Sequence, residues 1–144
     1  MTMLLLKEYL DIAVFSILGI MSFLMIAYTI ERYVFFARLE VDGFNDQHTL
    51  YVALTRHLTI IASIASNAPY IGLLGTVLGI LVTFHDMSQA VELSAATVML
   101  GLALALKATA AGLIVAIPAT MFYNSLVRRT DVLTAQWKSM RNTI

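Results

Sequence analysis

Three long runs almost empty of charge constrain this chain more than any other feature. The first, Ile12 to Ile30, is bounded by Asp11 and Glu31; the second runs from Leu58 to Phe84; the third runs from Leu93 to Val127, broken only by Lys107. At 1.5 Å per helical residue the first reaches roughly 28 Å, close to the ~30 Å of a bilayer's hydrocarbon core. The second and third would reach roughly 40 and 52 Å, so both are expected to outrun the membrane. Only 12% of the 144 residues are charged, and the mean hydropathy is +0.84. One small globule cannot hide that much apolar surface, so the expected solvent is lipid. The fold class expected is an all-α membrane protein. Its three transmembrane helices lie near residues 12–30, 62–84 and 94–127 of a single domain, 1–144.

A cleaved signal peptide is the competing reading of the first run. Against it, Lys7 is balanced by Glu8 and Asp11, and no A-x-A-like site follows. Basic residues set the orientation. Arg32, Arg38 and Arg56 lie between the first and second runs, and Arg128, Arg129, Lys138 and Arg141 follow the third. Lys7 alone faces them, and the linker from His85 to Glu92 has no Lys or Arg. This predicts an external N-terminus and a cytoplasmic C-terminus, with the second and third helices projecting into the cytoplasm. The inner loop, Glu31 to His57, carries turn-like Asp42-Gly43-Phe44-Asn45-Asp46 and is too short for a further domain.

Other function classes find little support. Nine Lys/Arg cancel nine Asp/Glu, which suggests no nucleic-acid partner. The chain has no cysteine, and His48, His57 and His85 share no helical face at ligand spacing, so no metal site is expected. There is no Ser/His/Asp constellation and no phosphate loop, so the chain is not expected to be an enzyme.

The second and third runs look built for close packing. Gly75-x-x-x-Gly79, with Gly72 before it, lies on the second; Gly101, Ala105, Thr109, Gly112 and Ala116 form one stripe on the third. Ser63, Ser66 and Asn67 precede Pro69, and both Pro69 and Pro118 are candidate kinks. Thr76 sits in the glycine cluster and Thr109 on the stripe. Each could bond its own backbone, as threonines in membrane helices commonly do, or present its hydroxyl to a polar lumen.

Lys107 falls between Leu93 and Arg128, near the middle of its run. A central lysine costs on the order of 2.5–3.5 kcal/mol on insertion scales. All nine carboxylates lie outside the runs. Lys107 is therefore expected near mid-membrane beside a buried acidic partner, which would come from another polypeptide, or a hydrated channel, with snorkelling to an interface as the alternative. Lys107 should point roughly 160° away from Thr109.

The two blocks that carry these features are Ala68-Pro69-Tyr70-Ile71-Gly72-Leu73-Leu74-Gly75-Thr76-Val77-Leu78-Gly79-Ile80 and Gly101-Leu102-Ala103-Leu104-Ala105-Leu106-Lys107-Ala108-Thr109-Ala110-Ala111-Gly112-Leu113. The second continues through Ala116-Ile117-Pro118-Ala119 to Tyr123-Asn124. Together, on the last two of three spans, they resemble the ExbB/TolQ family of proton-channel energisers, related to MotA, and within it the ExbB branch of the TonB system. The resemblance implies a cyclic homo-oligomer, a pentamer in better-known relatives. Its second and third helices line a lumen occupied by helices of an ExbD-like partner with a membrane-embedded aspartate. It also implies a TonB-like partner, a lipid environment in a Gram-negative inner membrane, protons as the coupling ion and no other cofactor. Thr76 and Thr109 match the family's lumen threonines. Leu104 stands where many relatives carry a glutamate, and Lys107 where they lack a lysine. A TolQ-like energiser of the Tol-Pal envelope system is the nearest alternative, and a non-conducting membrane scaffold is the alternative from another class. A flagellar-stator homologue fits less well, since those relatives have four spans.

Overall fold

The structure, a computed structural model, describes residues 2–90 and 94–142. Four helices follow in order: α1 (Thr2–Arg38), α2 (Gln47–Thr55), α3 (Leu58–Ser88) and α4 (Ala95–Asn142), with one 3₁₀ turn (Val41–Gly43) after α1. Helices α1, α3 and α4 are each long and apolar enough to cross a membrane. This is the expected all-α plan with three spans. Leu93, the expected start of the third run, lies outside the described residues.

The helices are longer than the apolar runs that announce them. Helix α1 continues beyond Glu31 to Arg38, and α4 beyond Arg128 and Arg129 to Asn142. A charge ends the segment that lipid accepts, but only Gly, Pro or a lost cap ends a helix. Residues 31–38 and 128–142 contain neither Gly nor Pro. With 48 residues, α4 is roughly 72 Å long, more than twice a hydrocarbon core. Pro69 and Pro118 lie inside helices that run unbroken through them. Each is flanked by a fully buried alanine, Ala68 and Ala119. Packing against neighbours thus holds the helix across the missing backbone bond.

Helices α3 and α4 form an antiparallel hairpin packed along its length, and α1 lies against both. Val14, Leu18, Met25, Thr29, Arg32 and Phe36 make the buried stripe of α1 at helical spacing. The opposite side is bare and apolar, as at Phe23, which is 71% exposed. Helix α4 is similar at Ile114 and Met121. Such faces suit hydrocarbon, whereas association of the buried faces rests on close packing.

Helix α2, within the stretch expected as an inner loop, begins where Asp46 Oδ2 accepts the Thr49 backbone N–H at 3.1 Å. Its Leu50 and Leu54 are fully buried, docking it against α4. Two polar ties hold this end of the bundle. Arg32, only 2% exposed, donates from Nε to Glu31 Oε2 at 2.7 Å and from Nη1 to the Ala53 carbonyl at 3.0 Å. Glu31 Oε2 also meets His57 Nδ1 at 3.2 Å, and His57 stacks on Tyr28 at 4.7 Å between ring centroids. His57 takes the left-handed conformation (φ 66) that turns α2 into α3. Farther out, Trp137 Nε1 and Arg141 Nη2 both donate to the Phe44 carbonyl, each at 3.0 Å.

Candidate functional site: the hydroxyl pair in the α3–α4 seam

Helices α3 and α4 meet through residues with almost no side chain. A Cβ built on Gly72 would stand 2.6 Å from the Ala108 carbonyl oxygen, and one on Gly112 would stand 2.6 Å from the Ala68 carbonyl oxygen. Only glycine allows this approach. Around that crossing, Gly75 faces Ala108 (2.7 Å from a built Cβ), Gly79 faces Ala105 (3.1 Å) and Gly101 abuts Thr83. All six small residues singled out in the sequence, Gly72, Gly75, Gly79, Gly101, Ala105 and Gly112, are buried in this seam. The closest approach of backbone to backbone is at Gly72 and Gly112, not at the Gly75-x-x-x-Gly79 motif. Ala108, missed in the sequence, belongs to the same contact. It lies one turn before Gly112, and the stripe passes through it as well as through Thr109.

One turn from this crossing the two threonines meet. Thr76 Oγ1 lies 2.5 Å from Thr109 Oγ1 and 3.1 Å from the Ala105 carbonyl oxygen. Its own Gly72 carbonyl is farther, at 3.3 Å. Thr83, Thr120, Thr130 and Thr134 behave differently. Each donates to the carbonyl four residues earlier, at 2.8, 2.9, 3.0 and 2.8 Å. The ordinary back-bonding of membrane threonines is therefore present in this protein, and Thr76–Thr109 departs from it in favour of a bond between helices. Thr76 is buried, while Thr109 is half-buried at the seam's edge. Within one chain Thr76 points into α4 rather than into open space, so the pair reaches its surroundings through Thr109. Each hydroxyl has one hydrogen and can accept others, so the pair can pass a proton or order a water without carrying charge.

Lys107 lies away from this pair, exposed on the other side of α4, as the helical geometry required. A Cβ on Gly75 would lie 2.7 Å from Ala108 Cβ and 3.0 Å from Val14 Cγ1, so Lys107 stands level with Val14, one turn from Asp11. At the other end of α1, Tyr33 Oη meets Ser125 Oγ at 2.7 Å. Eighteen residues, about 27 Å, separate Lys107 from that level, and only about 5 Å separates it from Asp11. A lysine stem can carry its ammonium past one turn of helix.

Ser63, Ser66 and Asn67 are exposed on α3, with Asn67 Nδ2 donating to the Ser63 carbonyl at 2.7 Å. Thr83, which no sequence motif singled out, lies on the seam face one turn from Asp86.

A membrane hairpin closed by glycine, with α1 laid along it, defines the class of the molecule. Residues 30–139 match the MotA/TolQ/ExbB proton channel family, and the chain belongs to that family. It is a multi-pass membrane protein. Among its relatives, a biopolymer transport protein ExbB of Helicobacter pylori strain J99 is 49% identical over 140 residues, 97% of each chain. One of Aquifex aeolicus, also named ExbB, is 48% identical over 134 residues, 93% of this chain and 90% of its own. The Tol-Pal system protein TolQ of Pseudomonas aeruginosa is 40% identical over 84 residues, 58% of this chain and 36% of its own. The compact form of this chain is thus shared with the first two, whereas TolQ is much longer.

Proposed function

We propose that this chain is an ExbB-like energiser subunit driven by the proton-motive force. In this reading, identical copies form a ring, a pentamer, around helices of an ExbD-like partner that carries an intramembrane aspartate. Protons crossing at that aspartate drive motion of the partner, and a TonB-like protein passes the work to import across the outer membrane. The ring lies in a Gram-negative inner membrane with its N-termini periplasmic and its C-termini cytoplasmic. No covalent chemistry and no cofactor beyond the coupling proton are involved.

The observation that carries the reading is the Thr76–Thr109 contact at 2.5 Å, made across the seam while neighbouring threonines close on their own helices. A ring repeats this uncharged polar pair once per subunit. A partner carboxylate in such a poorly solvated place has its pKa raised toward neutrality, which suits a group that loads and unloads protons. The orientation is supported by Arg32 and Arg38 lying at the same end of the bundle as Arg128 and Arg129, a register set by the Tyr33–Ser125 contact.

The test is proton flux into vesicles holding the chain with its partner. Thr76→Val and Thr109→Val keep the shape of the side chain and remove the hydroxyl. Each is expected to cut flux at least tenfold while the ring is recovered at its normal size. Wild-type flux in both variants would remove the hydroxyl pair from the mechanism and leave a scaffold as the better reading. The TolQ relative supports a second reading with the same mechanism and a Tol-Pal partner; which partner co-purifies separates the two.

A further inference from the structure

At the end of the bundle opposite the arginine-bearing loops, three helices border an open cleft of about 210 Å³. Lys7 of α1, Thr83 and Asp86 of α3, and Thr97, Gly101 and Leu104 of α4 contribute to its wall. Met87, Ala90 and Leu100 make much of the remaining wall apolar. Set into that wall are one cation, one anion and two hydroxyls, and Thr97 Oγ1 already bonds Ser94 Oγ at 2.8 Å. Thr83 Oγ1 donates to Gly79 at 2.8 Å and keeps its oxygen free to accept. The side chain of Thr83 abuts Gly101 so closely that a Cβ there would clash. That contact closes the floor. Below it, along the same face of α3, lies Thr76, seven residues or about 10 Å farther in.

We infer that this cleft is the outer water inlet of each subunit, a hydrated pocket that brings protons within two helical turns of the Thr76–Thr109 pair. The inference rests on the proton-conducting reading and on its orientation. It adds that entry begins inside the α1–α3–α4 bundle of each protomer. The ligand is water carrying a proton, so no wall group needs to titrate. Asp86 draws cations to the mouth and Lys7 repels them, and the two act with opposite sign on the local proton concentration.

The chain has no cysteine, so a single introduced thiol reports its surroundings without background. In rings assembled with the partner, Leu104→Cys is expected to react with a membrane-impermeant maleimide applied from the outer side. Phe23→Cys, on the bare apolar side of α1 away from α3 and α4, is expected to remain at background. Flux into vesicles then tests the charges. Asp86→Asn should lower proton conduction roughly two- to fivefold and Lys7→Gln should raise it, both effects shrinking at high ionic strength. An unreactive Leu104→Cys overturns the inlet, and so does flux that falls in both charge variants or changes in neither. Failure of the wild-type ring to conduct at all, with Leu104→Cys still labelled, would instead overturn the proposed function and leave a wet pocket of another purpose.

Discussion

At Gly72 and Gly112 an added methyl would meet a backbone carbonyl oxygen at 2.6 Å, whereas at Gly19 it would meet nothing within 4 Å. Backbone cannot swing aside as a side chain can, so Gly72→Ala and Gly112→Ala must force α3 and α4 apart. Each is expected to cost about 1–3 kcal/mol of stability in detergent or bilayer. Gly19→Ala should be neutral or slightly stabilising. Thermal unfolding of the purified ring distinguishes the three. Lys107→Met belongs to the same scale. As an exposed charge within an apolar run, the lysine is expected to meet a partner carboxylate, so its removal should lower the amount of partner that co-purifies. Leu113→Lys, a turn and a half farther along α4, should cost on the order of 2.5 kcal/mol in an insertion assay. The small-residue seam was legible in the sequence because spacing on a helix is enough to align a stripe. The level at which Lys107 passes α1 was not, because that level depends on how far one helix slides along another, and no single run of residues carries that information.

Helix α2 shows the same division among elements. Its start signal was present in Asp46 followed by Thr49, but nine residues with a mixed pattern between two obvious spans read as a loop. What stabilises α2 is tertiary: Leu50 and Leu54 have no exposed surface once docked. Asp46→Ala should therefore cost about 1 kcal/mol, as a lost cap does, and leave the fold intact. Arg32 ties α1 to the segment that turns into α3, and its removal is the harsher change. Arg32→Met deprives Glu31 of its main cation and the Ala53 carbonyl of its donor. A loss of about 2–4 kcal/mol is expected, seen as earlier thermal unfolding and faster proteolysis between residues 39 and 57. The prolines mark a further limit of local reading. Pro69 and Pro118, the expected kinks, lie inside helices that continue past both, with buried alanines beside them.

For the whole molecule, three spans and their order followed from charge-free length alone, because a bilayer imposes a minimum helix that few other settings demand. Partner and ring belong to surfaces that one chain leaves bare, and these need stoichiometry to settle. Co-purification with the partner, followed by mass measurement of the intact complex, should return more copies of this chain than of the partner. A one-to-one complex would be incompatible with a ring around a few central helices. The crossing of Gly72 over Gly112 has a mechanical consequence here. Two backbones brought this close, one turn from the threonines, share a broad contact, so α3 and α4 are expected to move as one body. If the proposed ring holds, its cyclic movement is then a slip between such paired helices and whatever they surround.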